Sequence, residues 1–280
     1  MHPEIRSGNE DSQAELLRFI NSPQLAFEYL DWFPSRSRLA EPSTFYLCSE
    51  QGIAALISVA PEKPSFAWIR FFYSWRDGRH GEYFSKLLNH ACDWLIQRCT
   101  QQLYCLAPND WVENLLVGNA FQQQNQIISL STPAISGSAP MLKPGIRIRP
   151  TRLGDLPQIE ELDNICFQTP WQMNPASVEK SYFACEYASL AEVDGSIVAY
   201  QMTTRTFDNL HLARIAVHPD FRGLGIARAL LFDLKEHFED TGVESVSVNT
   251  PVDNKPSLRL YHSLGFRQVG SLLPVFQKQL

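Results

Sequence analysis

The chain has 280 residues, 44% hydrophobic and 19% charged, with a net charge of −6 and a pI near 5.7. This is an ordinary globular composition, long enough for about two cores. It excludes a globally basic nucleic-acid surface, and no run of about 18 apolar residues marks a membrane span.

An acidic surface suits a cationic amine partner. Cys48, Cys92, Cys99, Cys105, Cys166 and Cys185 show neither paired CxxC spacing nor a disulfide framework. They read as reduced packing residues of a cytoplasmic protein, with no metal site. Met1 to Gln13 is polar and has no apolar core, so it does not read as a signal peptide.

In chain order, Ser12 to Leu30 has helical spacing, with Ser22 and Pro23 predicted to open a second helix. Phe45–Cys48 and Ile53–Val59 read as strands joined at 49–52. Pro61 and Pro64 are expected to break the next run, and Trp68–Trp75 is strand-like. Tyr83–Ile96 carries helical periodicity, Leu103–Leu106 a short strand, Val112–Val117 a short helix and Ile127–Leu130 a strand. Ser131 to Gly145 is rich in Ser, Pro and Gly and reads as a linker.

From Ile146 the order repeats. Asp155–Phe167 reads as a helix, divided from another by Thr169-Pro170-Trp171. Leu190–Val193 and Ile197–Met202 flank Asp194-Gly195, a hairpin signal. Leu210–Val217 is a buried strand, then Arg222-Gly223-Leu224-Gly225-Ile226-Ala227 leads into a helix closed by Thr241-Gly242. Val243–Val248 alternates as a strand. Asn254–Leu264 is a short helix, and Phe266–Val269 opens a last strand. Gly52 and Gly195 lie 143 residues apart, as do Arg79 and Arg222; Asn109 and Asn254 lie 145 apart, as do Phe121 and Phe266. A nearly constant offset with matched element types indicates a duplicated fold.

The strand–glycine turn–helix at Leu210 to Leu231 carries the chemistry. First-turn amides of a helix lack intrahelical partners and its dipole favours an anion, so this stretch can hold a phosphate. Glycine lets a pyrophosphate approach the backbone closely. A dinucleotide fingerprint is the nearest rival, but it would need a third glycine where Arg228 stands.

These residues resemble the GNAT superfamily of acyl-CoA-dependent N-acyltransferases over roughly residues 146 to 280. Arg222 to Ala227 fits its Arg/Gln-x-x-Gly-x-Gly/Ala motif; Asn254, Ser257, Tyr261 and Gly265-Phe266 fit its later signature. The resemblance implies an α/β (α+β) fold of two tandem GNAT-like domains. Each would be a mixed sheet flanked by helices and splayed between its fourth and fifth strands. The implied boundaries are 1–130, a linker at 131–145, and 146–280.

Acetyl-CoA is the implied co-substrate. Ile215, Ala216 and Val217 would meet its pantetheine arm. The amides of Arg222, Gly223, Leu224, Gly225, Ile226 and Ala227 would hold its pyrophosphate, and Asn254 and Ser257 would line the arm. Tyr261 would protonate the leaving thiolate. The stretch Ile165-Cys166-Phe167 to Pro170-Trp171 looks most like the ribosomal-protein alanine N-acetyltransferase branch. That branch usually carries a Glu near Asn249, and an asparagine cannot act as a base. No side chain stands out for that role: His211 lies upstream on the fourth strand, where the resemblance often places an acid, but it reads first as a plain strand histidine facing solvent or the core. Phe167 and Trp171 would wall the acceptor side.

The implied activity is acetyl transfer to a primary amine of a small molecule or peptide. The alternative is a non-catalytic acyl-CoA-binding module. In the first half Glu82 stands at the place of Gly225 and Leu116 at that of Tyr261. A carboxylate where a phosphate should sit is a like-charge conflict. That half therefore reads as a degenerate copy, a structural or substrate-gating partner.

Overall fold

The computed structural model describes residues 4–22, 25–28, 34–50, 52–239 and 241–280. It divides into two units, Met1–Gln124 with Leu273–Leu280, and Asn125–Leu272.

In the first unit the order is β1 (Glu4–Ser7), α1 (Glu10–Ile20), β2 (Leu25–Glu28), β3 (Thr44–Ser49), β4 (Gly52–Lys63), β5 (Phe66–Ser74), α2 (His80–Ile96), β6 (Gln102–Leu106) and α3 (Asp110–Gly118). Asn9 caps α1 by accepting the Ser12 amide at 2.8 Å, and the Ser12 hydroxyl accepts the Asn9 amide at 3.0 Å. The apolar stripe of α2 (Phe84, Leu87, Leu88, Ala91, Leu95) packs on Phe45, Ile57 and Phe72 of the sheet. On another face Leu16 and Phe19 of α1 cover Leu56, Phe71 and Tyr73. Strand order is β1-β3-β4-β5-β6, with β2 added along β5.

The second unit holds β7 (Gln122–Thr132), β8 (Ile146–Pro150), α4 (Leu156–Cys166), α5 (Pro175–Ala184), β9 (Tyr187–Val193), β10 (Ser196–Thr206), β11 (Asn209–Val217), α6 (Ile226–His237), β12 (Ser245–Pro251), α7 (Lys255–Ser263) and β13 (Arg267–Gln268). Its sheet runs β7-β12-β11-β10-β9-β8, with β13 on β7. The β9–β10 hairpin turns at Asp194 (φ 50°) and Gly195 (φ 80°), the left-handed pair its twist requires. The sheet is mixed, since β11 and β12 run parallel while the other pairs run antiparallel.

Three expectations change. The helix predicted from Pro23 is absent at Leu25–Glu28, which pairs with Phe71–Ser74 of β5; residues 23, 24 and 29–33 lie outside the described residues. Phe27 is buried against Phe72, Phe84 and Trp111, so tertiary pairing overrides the local helical spacing. Pro61 does not end its strand: β4 continues to Lys63, with a register shift beside Pro61 that removes the need for its missing N–H.

The third change concerns the boundaries at 131–145. Ser131 and Thr132 belong to β7, Ile135 is 3% exposed, and the Ser136 amide bonds the Leu264 carbonyl. This stretch is thus tied into the second unit rather than forming a free linker. Moreover β7, the last strand of the first half of the sequence, pairs through Ile127–Thr132 with β12. The last strand of the chain, β14 (Leu273–Gln279), pairs with β6 in the first unit. The halves exchange their final strands. Leu130 lies in the second core with Ile128 packed against it, and Val275 and Phe276 are buried in the first unit. Each unit therefore depends on both halves of the sequence.

Candidate functional site

In the second unit β11 and β12 pair only over Asn209–Leu212 and Ser245–Val248. Beyond Leu212, β11 keeps β10 on one side, through Ala199–Met202. On the other side β12 turns away along β7. The expected splay therefore lies between the fourth and fifth strands of the β8–β12 series, and Ile215, Ala216 and Val217 form its edge. An irregularity at Ala213 shifts the alternation of β11. Leu210, Leu212, Ile215 and Val217 face the core that α6 covers, whereas Arg214 reaches α4. By the same alternation His211 lies on the α4 face.

The chain then passes a short turn to Arg222. Gly223 (φ 76°) and Gly225 (φ 81°) are both left-handed, and Gly225 directly precedes α6. A Cβ on Gly223 would meet nothing within 4 Å, so its backbone is open to close approach. No side chain caps α6. The Arg222 amide bonds back to the Pro219 carbonyl at 3.2 Å, contrary to the expectation that it is open to a phosphate, and the next amide to bond back is that of Ala229, to the Gly225 carbonyl; the amides of Gly223 to Arg228 between them bond no carbonyl among the described residues. The Arg222 guanidinium folds onto the Val217 carbonyl at 3.1 Å. Arg228 bonds the Ser138 carbonyl at 3.1 Å and so ties α6 to that stretch. These features fit a diphosphate on the Arg222–Ala227 loop with an extended arm in the split.

Asn254 opens α7. Its Oδ1 accepts the Ser257 amide at 3.3 Å and its Nδ2 donates to Thr250 at 3.3 Å, so its side chain is engaged as a cap. Ser257 is half-buried beside it. Tyr261, one turn on, is 2% exposed and packs on Phe266 at 5.5 Å between ring centroids. Its hydroxyl has no hydrogen-bond partner among the described residues and is not fully sealed from solvent. Burial pushes its pKa up, so it holds its proton at neutral pH. Asn249 is exposed and accepts from Ser129 at 2.8 Å.

The sequence reading missed one cluster. Asp163 of α4 and Tyr200 of β10 are fully buried, and Arg214 of β11 joins them. Tyr200 donates to Asp163 at 2.5 Å, and Arg214 Nε donates to the same carboxylate at 2.8 Å. Arg214 also donates to the Trp171 carbonyl at 2.6 Å and stacks over Phe167 at 3.7 Å, and Asp163 accepts the Met173 amide at 3.0 Å. The segment from Phe167 to Met173 is thereby clamped beside the splayed end of β11. One signal pointed there: an arginine in an apolar strand must find a buried partner. Burial raises Cys166, and raises Cys185 to about 11, so neither is a ready nucleophile.

The first unit differs at the strand edge and at the loop before its helix. At the 143-residue offset Phe71–Ser74 correspond to Arg214–Val217. There β4 pairs with one edge and β2 with the other, in the register Leu25↔Ser74 to Glu28↔Phe71. The slot that is open along β11 is filled by the chain's own strand along β5. Glu82 is paired with Arg79 at 3.1 Å and Lys86 at 2.7 Å, which hold its carboxyl down to about 2. Helix α2 begins at His80 without a side-chain cap, and the residue directly before it is Arg79 (φ −101°) where α6 has the left-handed Gly225; the left-handed Gly78 lies one residue further back.

A splayed mixed sheet followed by a glycine loop and an uncapped helix defines the GNAT class of fold, and comparison with known proteins agrees. Residues 156–266 match the model of the Acetyltransferase (GNAT) family. An N-alpha-acetyltransferase of Sulfurisphaera tokodaii is 34% identical over 138 residues, covering 44% of this chain and 81% of the relative. The ribosomal protein bS18-alanine N-acetyltransferase of Salmonella typhimurium is 30% identical over 118 residues, 41% of this chain and 76% of the relative. A solved tandem GNAT protein from the clavulanic acid biosynthesis pathway shares the fold, with a TM-score of 0.66 over 99% of this chain and 98% of that one at 13% identity. The chain belongs to the GNAT acetyltransferase family. Membership implies an acyl-CoA-type donor and an amine-bearing acceptor. No helix among the described residues is long and apolar enough to cross a membrane, and no metal-binding cluster is found among them.

Proposed function

We propose that the second unit is an acetyl-CoA-dependent N-acetyltransferase acting on a primary amine of a small molecule or peptide, by direct attack in a ternary complex. The observation that carries this reading is the parting of β11 and β12 after Leu212, next to a loop with two left-handed glycines and an uncapped helix. The amides of Gly223 to Ala227 hold the diphosphate, and the edge Ile215–Val217 meets the pantetheine arm. Asn254 acts by capping α7, which places Ser257 and Tyr261 on one side of the split.

Much of the rate gain comes from holding thioester and amine together. Outward amides on β11 polarise the thioester carbonyl. The Tyr261 phenol, which keeps its proton through burial, gives it to the leaving sulfur. The first unit is a structural copy without an acyl-CoA site, because β2 and Glu82 stand where arm and phosphate would lie.

Calorimetry of the full chain with acetyl-CoA, followed by thiol release over a panel of primary amines, tests this. One site per chain and release with at least one amine are expected. Binding without release from any amine would favour the non-catalytic module, and no binding would refute both.

A further inference from the structure

We propose that His211, locked in one tautomer by Ser247, is the base that removes the acceptor's ammonium proton; this rests on the acetyl-transfer reading above. Its place in the split is the first reason. β11 and β12 are still paired at Leu212 and Val248, so His211 lies one residue inside the apex. An arm that starts at the loop after Val217 and follows β11 back to Ala213 covers about 13 Å at about 3.3 Å per residue. That brings the thioester to the apex. His211 lies on the α4 face there, the face of Arg214 and the clamped segment with Phe167 and Trp171. Tyr261 packs in the core on the other face, with Leu210, Leu212 and α6. Base and acid thus approach the reacting atoms from opposite sides of the sheet.

The tautomer is the second reason. The Ser247 hydroxyl donates to the Leu210 carbonyl at 3.1 Å. Its proton is therefore engaged, and its lone pair receives Nδ1–H of His211 at 2.9 Å. With the proton on Nδ1, the lone pair sits on Nε2. No described residue bonds Nε2, and that atom is not fully sealed from solvent. Burial lowers the ring's pKa, so it is neutral at pH 7; its cross-strand neighbours Thr204 and Ser247 are uncharged.

The step balances. Nε2 takes one proton from the ammonium and passes it to water. The amine nitrogen bonds to the thioester carbonyl carbon, and the carbon–sulfur bond breaks with its electron pair on sulfur. Tyr261 protonates the sulfur, and the second nitrogen-bound proton returns through water to the phenolate.

Two measurements on the full chain decide the matter. Long-range nitrogen–proton correlation spectra, assigned with His211→Gln, are expected to show Nδ1 protonated at pH 7; an Nε2-protonated ring overturns the proposal. In turnover with ethylamine, charged at the assay pH, His211→Gln is expected to lose about 100-fold in kcat with KM for acetyl-CoA unchanged. With trifluoroethylamine, largely uncharged there, the loss is expected to shrink to a few-fold. An equal loss with both amines marks a structural role and overturns the proposal. Ser247→Ala is expected to lower kcat for ethylamine, and Ser247→Thr to restore it. If the parent chain neither binds acetyl-CoA nor releases thiol, the acetyl-transfer reading fails first and takes this proposal with it. A parent that turns over beside a fully active His211→Gln sinks the proposal alone.

Discussion

Gly225→Glu would rebuild in the second unit what Glu82 does in the first. The substitution acts on the free protein and on its complex differently. Gly225 sits at φ 81°, where an L residue costs about 1 kcal/mol. Its new Cβ would lie 3.3 Å from Pro140 Cβ, a contact that a shift of a few tenths of an ångström relieves. Both costs fall on stability. The added carboxylate acts on binding: two unit charges about 4 Å apart at an effective dielectric of about 20 repel by about 4 kcal/mol. That corresponds to about a thousandfold loss of affinity for the diphosphate. Gly225→Ala carries the strain without the charge, so it should lower the melting temperature similarly while weakening binding far less. Calorimetry with acetyl-CoA on the full chain, beside thermal unfolding of each variant, separates the two. A folded Gly225→Glu protein that binds within tenfold of the parent would refute the assignment of this loop to the phosphates. Residual binding at a site in the first unit would instead overturn the reading of that unit as lacking an acyl-CoA site.

Four further outcomes are expected. Tyr261→Phe should slow turnover by about 100-fold while leaving acetyl-CoA affinity nearly intact, and, since the hydroxyl bonds no described residue, should change stability by less than about 0.5 kcal/mol. Equal loss of turnover and binding would contradict the acid role. In hydrogen exchange, amides of Phe71–Ser74 should be slow with or without acetyl-CoA, whereas those of Arg214–Val217 should gain protection on its addition; protection gained at Phe71–Ser74 would show that β2 does not close that slot. The fragment 146–280 lacks β7 and leaves β14 without β6, so circular dichroism and gel filtration should find it unfolded or aggregated. Asp155 is held below its ordinary value first by Arg149, at 2.7 Å. Its contribution is therefore present above pH 3.8 and lost as pH falls through the depressed value. Asp155→Asn should cost about 1 kcal/mol near pH 7, and the gap from the parent should close in acid, as read by urea unfolding across pH.

Much of this protein is written in local pattern. The apolar stripe of α2, the Asp194-Gly195 hairpin, the Asn254 cap and the glycines before α6 each act over a few residues. Backbone sterics and helix-end hydrogen bonding therefore fix them without knowledge of the rest of the chain. The repeat offset and the cofactor motif are legible for the same reason. The sequence did not reveal which strand lies beside which. β7 and β14 are similar strands in corresponding positions, and only the packing of Leu130 in one core and Phe276 in the other decides where each one pairs. Leu25–Glu28 has helical spacing, and the unsatisfied edge of β5 makes it a strand. Asp163, Tyr200 and Arg214 are 51 residues apart at the extremes, and a buried charge finds its partner only when the helix and both strands are assembled. The same holds for the base. His211 and Ser247 are 36 residues apart, and the parallel register of β11 with β12 is what sets the proton on one ring nitrogen rather than the other.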